Sequence, residues 1–222
     1  MKIVLSLSGG MDSATALGYY LAEGHDIIPV NFMYGSKHNT FEKLCAIRLC
    51  VYYGINMFPS INLRFIEDMF SSDLLKSGED IPEGHYEDKN MKSTVVPGRN
   101  LIFASILAGY AESIGADAIA LGVHAGDHAI YPDCRPEFVD SLIETINKSS
   151  DSKISVFAPF LNLDKTEILK IGYSLPGEFK IPYELTRTCY CDQETSCGKC
   201  GSCIERLEAF KNIGKTDPIE YV

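Results

Sequence analysis

Ile3-Val4-Leu5-Ser6-Leu7-Ser8-Gly9-Gly10-Met11-Asp12-Ser13 joins a short apolar run to a pair of glycines and then to a stretch of helical period that Gly24 closes. Ile3 to Leu7 reads as a buried strand, and Ser13 to about Ala22 as a helix. A strand that passes into a helix through two glycines creates a surface suited to anions. The glycines let the main chain approach closely, and the first helical turn offers unpaired N–H groups and the positive end of its dipole. Ser8 and Ser13 add hydroxyl donors. The segment lacks the Lys and the length of the G-x-x-x-x-G-K-[ST] loop, and it is not G-x-G-x-x-G. Two Gly and two Ser could also form a plain turn, but the position between a first strand and a helix favours a phosphate-gripping loop.

Outward from this junction, apolar runs alternate with helical stretches. Ile27 to Phe32 is a second buried strand, and Phe41, Leu44, Cys45, Ile47 and Leu49 mark a helix that stops near Gly54. Ile55 to Ile61 reads as a strand weakened by Pro59. Residues 71–93 turn polar around Gly78, Pro82 and Gly84, which predicts a long loop with a short helix over Ser72 to Lys76; a lid and plain surface both fit such a connection. Leu101 to Ile114 is a helix and Ala118 to Gly122 a strand. Pro136 suits the first turn of a helix reaching Asn147, and Ile154 to Phe157 is the last strand. Asp164-Lys165-Thr166-Glu167 starts a further helix, with Asp164 as N-cap and Glu167 capping back. The alternation predicts an α/β fold, a Rossmann-like parallel sheet with helices on both faces. Residues 1–222 form a single domain, with 186–222 as a knuckle-and-helix appendage.

The 222 residues, 45% hydrophobic, suffice for a full core. Acidic residues outnumber basic ones by 30 to 20, a formal charge of -10 that disfavours long nucleic acid as a partner. The apolar run at the start is too short for a signal peptide, and no run is long enough to span a membrane, so a cytoplasmic location is expected. In that reducing setting clustered cysteines hold metal more often than they form disulfides. Cys189, Cys191, Cys197, Cys200 and Cys203 form such a cluster, the last three as C-x-x-C-x-x-C with Gly198 and Gly201 in the turns. Four thiolates suit a structural Zn²⁺, with an iron-sulfur cluster as the alternative. Cys189 has the roomier loop back to Cys197 and is preferred as fourth ligand, with Cys191 as competitor. Ile204, Leu207 and Phe210 have the spacing to dock this knuckle on the core. Cys45 and Cys50 read as small buried hydrophobes.

Ser8-Gly9-Gly10-Met11-Asp12-Ser13 resembles the S-G-G-x-D-S loop of the PP-loop ATP pyrophosphatases, of adenine nucleotide α-hydrolase-like fold. That resemblance implies ATP held by Leu7, Ser8, Gly9, Gly10, Met11, Asp12, Ser13, Ala14 and Thr15, and attack on its α-phosphate to leave AMP and pyrophosphate. A carboxylate beside phosphates needs a cation or backbone donors between them, so Asp12 is expected to help place the Mg²⁺ that accompanies ATP.

The whole pattern resembles the 7-cyano-7-deazaguanine synthase family. Val96-Pro97-Gly98-Arg99-Asn100 looks like its VPGRN element, and Gly122-Val123-His124 through Asp127 to Tyr131-Pro132-Asp133-Cys134-Arg135-Pro136-Glu137-Phe138 like its G-V-x…D…YPDCRPEF element. Leu185-Thr186-Arg187-Thr188-Cys189-Tyr190 precedes the knuckle as the family's motif does, which supports Cys189 as ligand. Tyr34-Gly35 and His38 with Glu42 also match. Cys191 and His128-Ala129-Ile130 depart from the family pattern. The resemblance implies conversion of 7-carboxy-7-deazaguanine, ammonia and ATP to the nitrile through adenylated carboxylate and amide, by a homodimer. It implies catalytic roles for Asp12, Arg99 and Lys165, although Arg99 and Lys165 also read as helix-start surface or ion-pair residues. Substrate would be held by Arg99, Asn100, Asp127, Tyr131, Asp133 and Arg135. Asp127 and Asp133 would accept from the ring N–H groups, or else cap loops, and Arg135 would face the carboxylate. Cys134 reads as packing. Related outcomes are an enzyme that stops at the amide or conjugates the deazaguanine, a tRNA-thiolating PP-loop enzyme, and a non-enzymatic zinc module.

Overall fold

The structure, a computed structural model, describes residues 1–85 and 88–222. Five parallel strands lie in the order β3-β2-β1-β4-β5. They are β1 (Lys2–Ser6), β2 (Asp26–Met33), β3 (Ser60–Asn62), β4 (Ala118–Ala120) and β5 (Ser155–Phe157). Around them stand α1 (Met11–Ala22), α2 (Asn39–Tyr52), α3 (Phe65–Met69), α4 (Arg99–Ser113), α5 (Pro136–Ser149), α6 (Lys165–Ser174) and α7 (Gly201–Asn212). The two-residue period of β1 divides the core. Ile3, Leu5 and Leu7 pack with Leu17, Ile168, Leu169 and Phe210, whereas Val4 packs with Phe103, Leu107 and Leu142. In β4, Ala118 and Ala120 go with the first set and Ile119 with the second. This is the expected parallel sheet clothed on both faces.

Three local expectations are corrected. Ile55 to Ile61 forms no strand before Pro59; β3 begins at Ser60, because proline cannot donate to a ladder. Ser72 to Lys76 is a pair of turns with a bridge from Leu75 to Ser36, not a helix. The Lys37 ammonium binds the carbonyls of Asp73, Leu75, Gly78 and Glu79 at 2.7–3.2 Å, and those bonds hold the segment in loop form. Of the polar 71–93 segment, Tyr86 and Glu87 lie outside the described residues. Third, Leu207 is 37% exposed; the inward face of α7 is Cys203, Arg206, Ala209 and Phe210. Arg206 is fully buried, its guanidinium forked onto Asp217 at 2.7 and 2.9 Å and bonded to Thr186 and the Tyr183 carbonyl. Residues 186–222 are thus continuous with the core through Ala209 and Phe210.

The crossing from β3 to β4 makes β1 and β4 neighbours whose chains leave to different parts of the fold, and ligands collect outside the carboxyl ends of strands at such points. Gly9 sits there with φ 96°. A Cβ on it would lie 2.4 Å from the Glu42 carbonyl oxygen and 2.8 Å from the Ala46 nitrogen, so α2 backs the loop directly. Gly9→Ala is therefore expected to destabilise the fold by about 1–3 kcal/mol. An unchanged denaturation midpoint would contradict this packing.

Candidate active site

The end of β1 leads through Ser8 and Gly9 to Gly10, the N-cap of α1, which has extended backbone and no side-chain cap. The loop is held from within. Gly10 N–H donates to Ser8 Oγ at 3.1 Å, Ser8 Oγ and Ser13 Oγ are 3.1 Å apart, and Gly9 N–H donates to Ser13 Oγ at 3.3 Å. From behind, the Arg187 N–H donates to the Gly9 carbonyl at 2.9 Å. The first-turn N–H groups of α1 have no intrahelical acceptors and lie beside a cavity of about 170 Å³. Such a site takes an anion of the phosphate type.

Leu7, Ser8, Gly10, Asp12, Ser13, Arg99, Asn100, Asp127 and Lys165 line that cavity. The other loop residues named from sequence stand behind it. Met11, Ala14 and Thr15 are fully buried in the core, and the Thr15 hydroxyl bonds Tyr183 at 2.9 Å. Tyr131 and Asp133 also lie outside the cavity lining. The Tyr131 hydroxyl bonds Thr94 Oγ1 at 2.8 Å, and Asp133 Oδ2 accepts from the Asn100 N–H at 2.8 Å, capping α4 rather than facing the cavity. Arg135 is exposed and its Nε donates to the His128 carbonyl, so it does not face the cavity in this chain. Cys134 is buried, its sulfur accepting from Asn100 Nδ2.

Lys165 is no surface residue. The capping box between Asp164 and Glu167 starts α6 so that the next side chain points inward, 5% exposed. Its ammonium lies 2.7 Å from Glu205 Oε2 and 3.4 Å from Asp12 Oδ2. Burial opposes its charge, but the Asp12 and Glu205 carboxylates outweigh that and hold its pKa above the usual lysine range. His124 Nε2 sits 3.7 Å from Asp12 and 3.5 Å from Asp127. Glu205 was not singled out from sequence, since a polar residue on a short helix gives no sign of what it faces. Asn31, Phe103, Arg187, Tyr190 and Ser202 likewise line the cavity without an assigned role.

His38 and Glu42, which also line the cavity, form a buried pair 3.4 Å apart. Burial, helped by Arg99 and Arg187, pushes His38 down to about 3; burial pushes Glu42 up to about 8 against the same two arginines.

The sulfurs of Cys189, Cys197, Cys200 and Cys203 all lie within 4.8 Å of one another, and Cys191 is not among them. Cys197 Sγ and Cys203 Sγ are 3.9 Å apart, close to the roughly 3.8 Å edge of a tetrahedron with metal–sulfur bonds of about 2.3 Å. Main-chain N–H groups of Cys197, Lys199 and Cys200 point at these sulfurs at 3.3–3.4 Å. The set fits one metal ion. A cluster with one thiolate per iron would hold the sulfurs further apart. Thr188, Tyr190 and Ser202 on this knuckle also line the cavity, so residues flanking the thiolates form part of its wall.

Lys165→Met would leave Asp12 and Glu205 facing each other without their cation. It is expected to cost on the order of 3–5 kcal/mol in denaturant unfolding. A loss below about 1 kcal/mol would show that the three groups act as an exposed pair does.

The model of the queuosine biosynthesis protein QueC family matches residues 2–214. The chain is 44% identical over 220 residues to 7-cyano-7-deazaguanine synthase 1 of Colwellia psychrerythraea, covering 99% of this chain and 98% of that one. It is 43% identical over 221 residues to 7-cyano-7-deazaguanine synthase of Methanoregula boonei, covering 100% and 99%. NMN synthetase from Francisella tularensis shares the fold, with a TM-score of 0.51 at 15% identity over 96% of this chain and 77% of that one. The match runs from the strand before the phosphate loop past the last knuckle cysteine, and the chain belongs to the queuosine biosynthesis protein QueC family.

Proposed function

We propose that this protein is a C–N bond-forming ligase that converts 7-carboxy-7-deazaguanine and ammonia to 7-cyano-7-deazaguanine at the expense of ATP. The observation that carries this reading is one cavity lined by an anion-binding loop together with aromatic and carboxyl side chains, in a chain alike over 99% or more of its length to relatives bearing that name. Gly10, Ser8 and Ser13 hold the departing pyrophosphate. The substrate carboxylate attacks the α-phosphate, ammonia displaces AMP to give the amide, and the amide oxygen is adenylated in turn. Lys165 and Arg99 balance the charge on the phosphorus oxygens, and Asn100 and Asp127 orient the heterocycle. Tyr131 and Asp133 support Arg99 and Asn100 from behind, the former under the Arg99 guanidinium at 5.7 Å. Asp12, whose Oδ1 is buried without a hydrogen-bond partner, is the carboxylate available to the Mg²⁺ of the nucleotide, which would supply further charge neutralisation. Arg187 Nε is likewise buried without an acceptor beside the loop and suits a phosphate oxygen.

The four-thiolate set holds Zn²⁺ in a structural role. Among the described residues no helix is long and apolar enough to cross a membrane, which accords with a cytoplasmic enzyme acting on small molecules. We take it to act as a homodimer.

The deciding assay incubates the protein with carboxy-deazaguanine, ammonium, Mg²⁺ and ATP and weighs the products. Nitrile with two AMP per turnover is expected, whereas amide alone or no acid-dependent AMP would overturn the reading. Removing the metal with a strong chelator should release one zinc per chain. ATP affinity should fall with it, since Arg187, two residues before the first thiolate, backs Gly9. Full ATP affinity in the stripped protein would detach the knuckle from the site.

A further inference from the structure

The phosphate chemistry leaves one carboxyl group in the cavity without a task. Glu42 sits in the first turn of α2 with its side chain 16% exposed, and its own carbonyl packs against Gly9, so it adjoins the phosphate loop in the same cavity. Its partner within 4 Å is His38, 2% exposed, whose Nδ1 is buried without a hydrogen bond. The other groups facing it are Tyr34 at the end of β2, Cys45 on its own helix, Arg99 at the start of α4 and Arg187 before the knuckle. Asp12, Asp127 and Glu205, by contrast, are gathered around Lys165 and His124.

The proposed reaction needs a proton acceptor. When ammonia adds to the acyl adenylate, a C–N bond forms, the C–O bond to AMP breaks and the nitrogen loses one proton. After the amide oxygen has displaced pyrophosphate from a second ATP, the nitrogen carries two protons, and both leave. The first departs to give the neutral imidate. The electron pair of the second N–H bond then becomes the third carbon–nitrogen bond while AMP leaves with the C–O pair. Nothing is oxidised or reduced. Three protons therefore come off one nitrogen, and Asp12 and Glu205 are already engaged with Lys165.

We propose that Glu42 is the general base that removes these nitrogen-bound protons, with neutral His38 holding its carboxyl group toward the cavity. This rests on the reading of the reaction given above. A base is most effective when its affinity for protons matches the working pH, and burial brings Glu42 close to that match whereas His38 is far too weak a base.

The test separates nitrogen chemistry from adenylation. Acid-dependent exchange of labelled pyrophosphate into ATP reports the first adenylation, in which no nitrogen takes part. Conversion of supplied amide to nitrile reports the later steps. Glu42→Gln should retain most of the exchange but slow amide-to-nitrile conversion by about 10²- to 10⁴-fold at saturating amide, with Glu42→Asp recovering part of it. In the wild type that conversion should rise with pH through about 8, since the base works deprotonated. Unchanged conversion in Glu42→Gln overturns the proposal, as does loss of exchange in parallel or a weaker amide affinity with normal conversion at saturation. Should Glu42→Gln not fold, a wild-type conversion rate flat from about pH 6 to about pH 10 overturns it as well. A wild type that makes no nitrile refutes the reaction itself and not the choice of base.

Discussion

The Lys165 ammonium, enclosed between Asp12 and Glu205, is the interaction on which the site depends. It fastens the first turn of α1 to the first turn of α6 and to α7 beyond the knuckle. A buried cation is tolerable only while both carboxylates remain near it, and each carboxylate needs the cation in turn. The three helices are therefore fixed relative to one another by charge as well as by the apolar contacts of Leu17, Ile168 and Phe210. Glu205 is itself confined, since a Cβ on Gly126 would lie 2.3 Å from its Oε1. The turn after β4, the phosphate loop and the knuckle helix thus share one small volume.

The cavity is lined by two sets of groups of different character. Around Lys165 the charges are paired and the groups are placed to manage phosphate. Glu42 is paired with His38 and faces Arg99 and Arg187, and Phe103, Tyr34 and Tyr190 line the wall. Strand order accounts for the union of the two sets: β1 and β2 carry the loop and the Tyr34 turn, while β4 brings Gly122 to His124 alongside.

Much of this was legible in sequence because the decisive features are local. The Gly-Gly junction, the C-x-x-C-x-x-C run and the Asp164 capping box each announce their geometry within a few residues. The choice of Cys189 over Cys191 needed three-dimensional distances, although the motif before it leaned the right way. Motif residues proved harder to sort. Tyr131, Asp133 and Arg135 belong to a recognisable segment, yet a motif does not reveal which members face a cavity and which brace their neighbours. Asp133 caps the turn that presents Asn100, so the alternative of loop capping describes it. Glu205 and Asn31 carried no local signal, because their positions follow from how distant elements meet. The strand expected before Pro59 and the helix expected at Ser72 failed where propensity met a missing donor and a lysine able to bind four carbonyls.

The bond from the Arg187 N–H to the Gly9 carbonyl has a consequence for how the molecule comes into being. The phosphate loop precedes its rear support, the thiolates and the Arg206–Asp217 pair along the chain, so it is synthesised before any of them. Contacts between such distant stretches form late. A growing chain therefore displays the loop motif before the contact that braces it from behind can form.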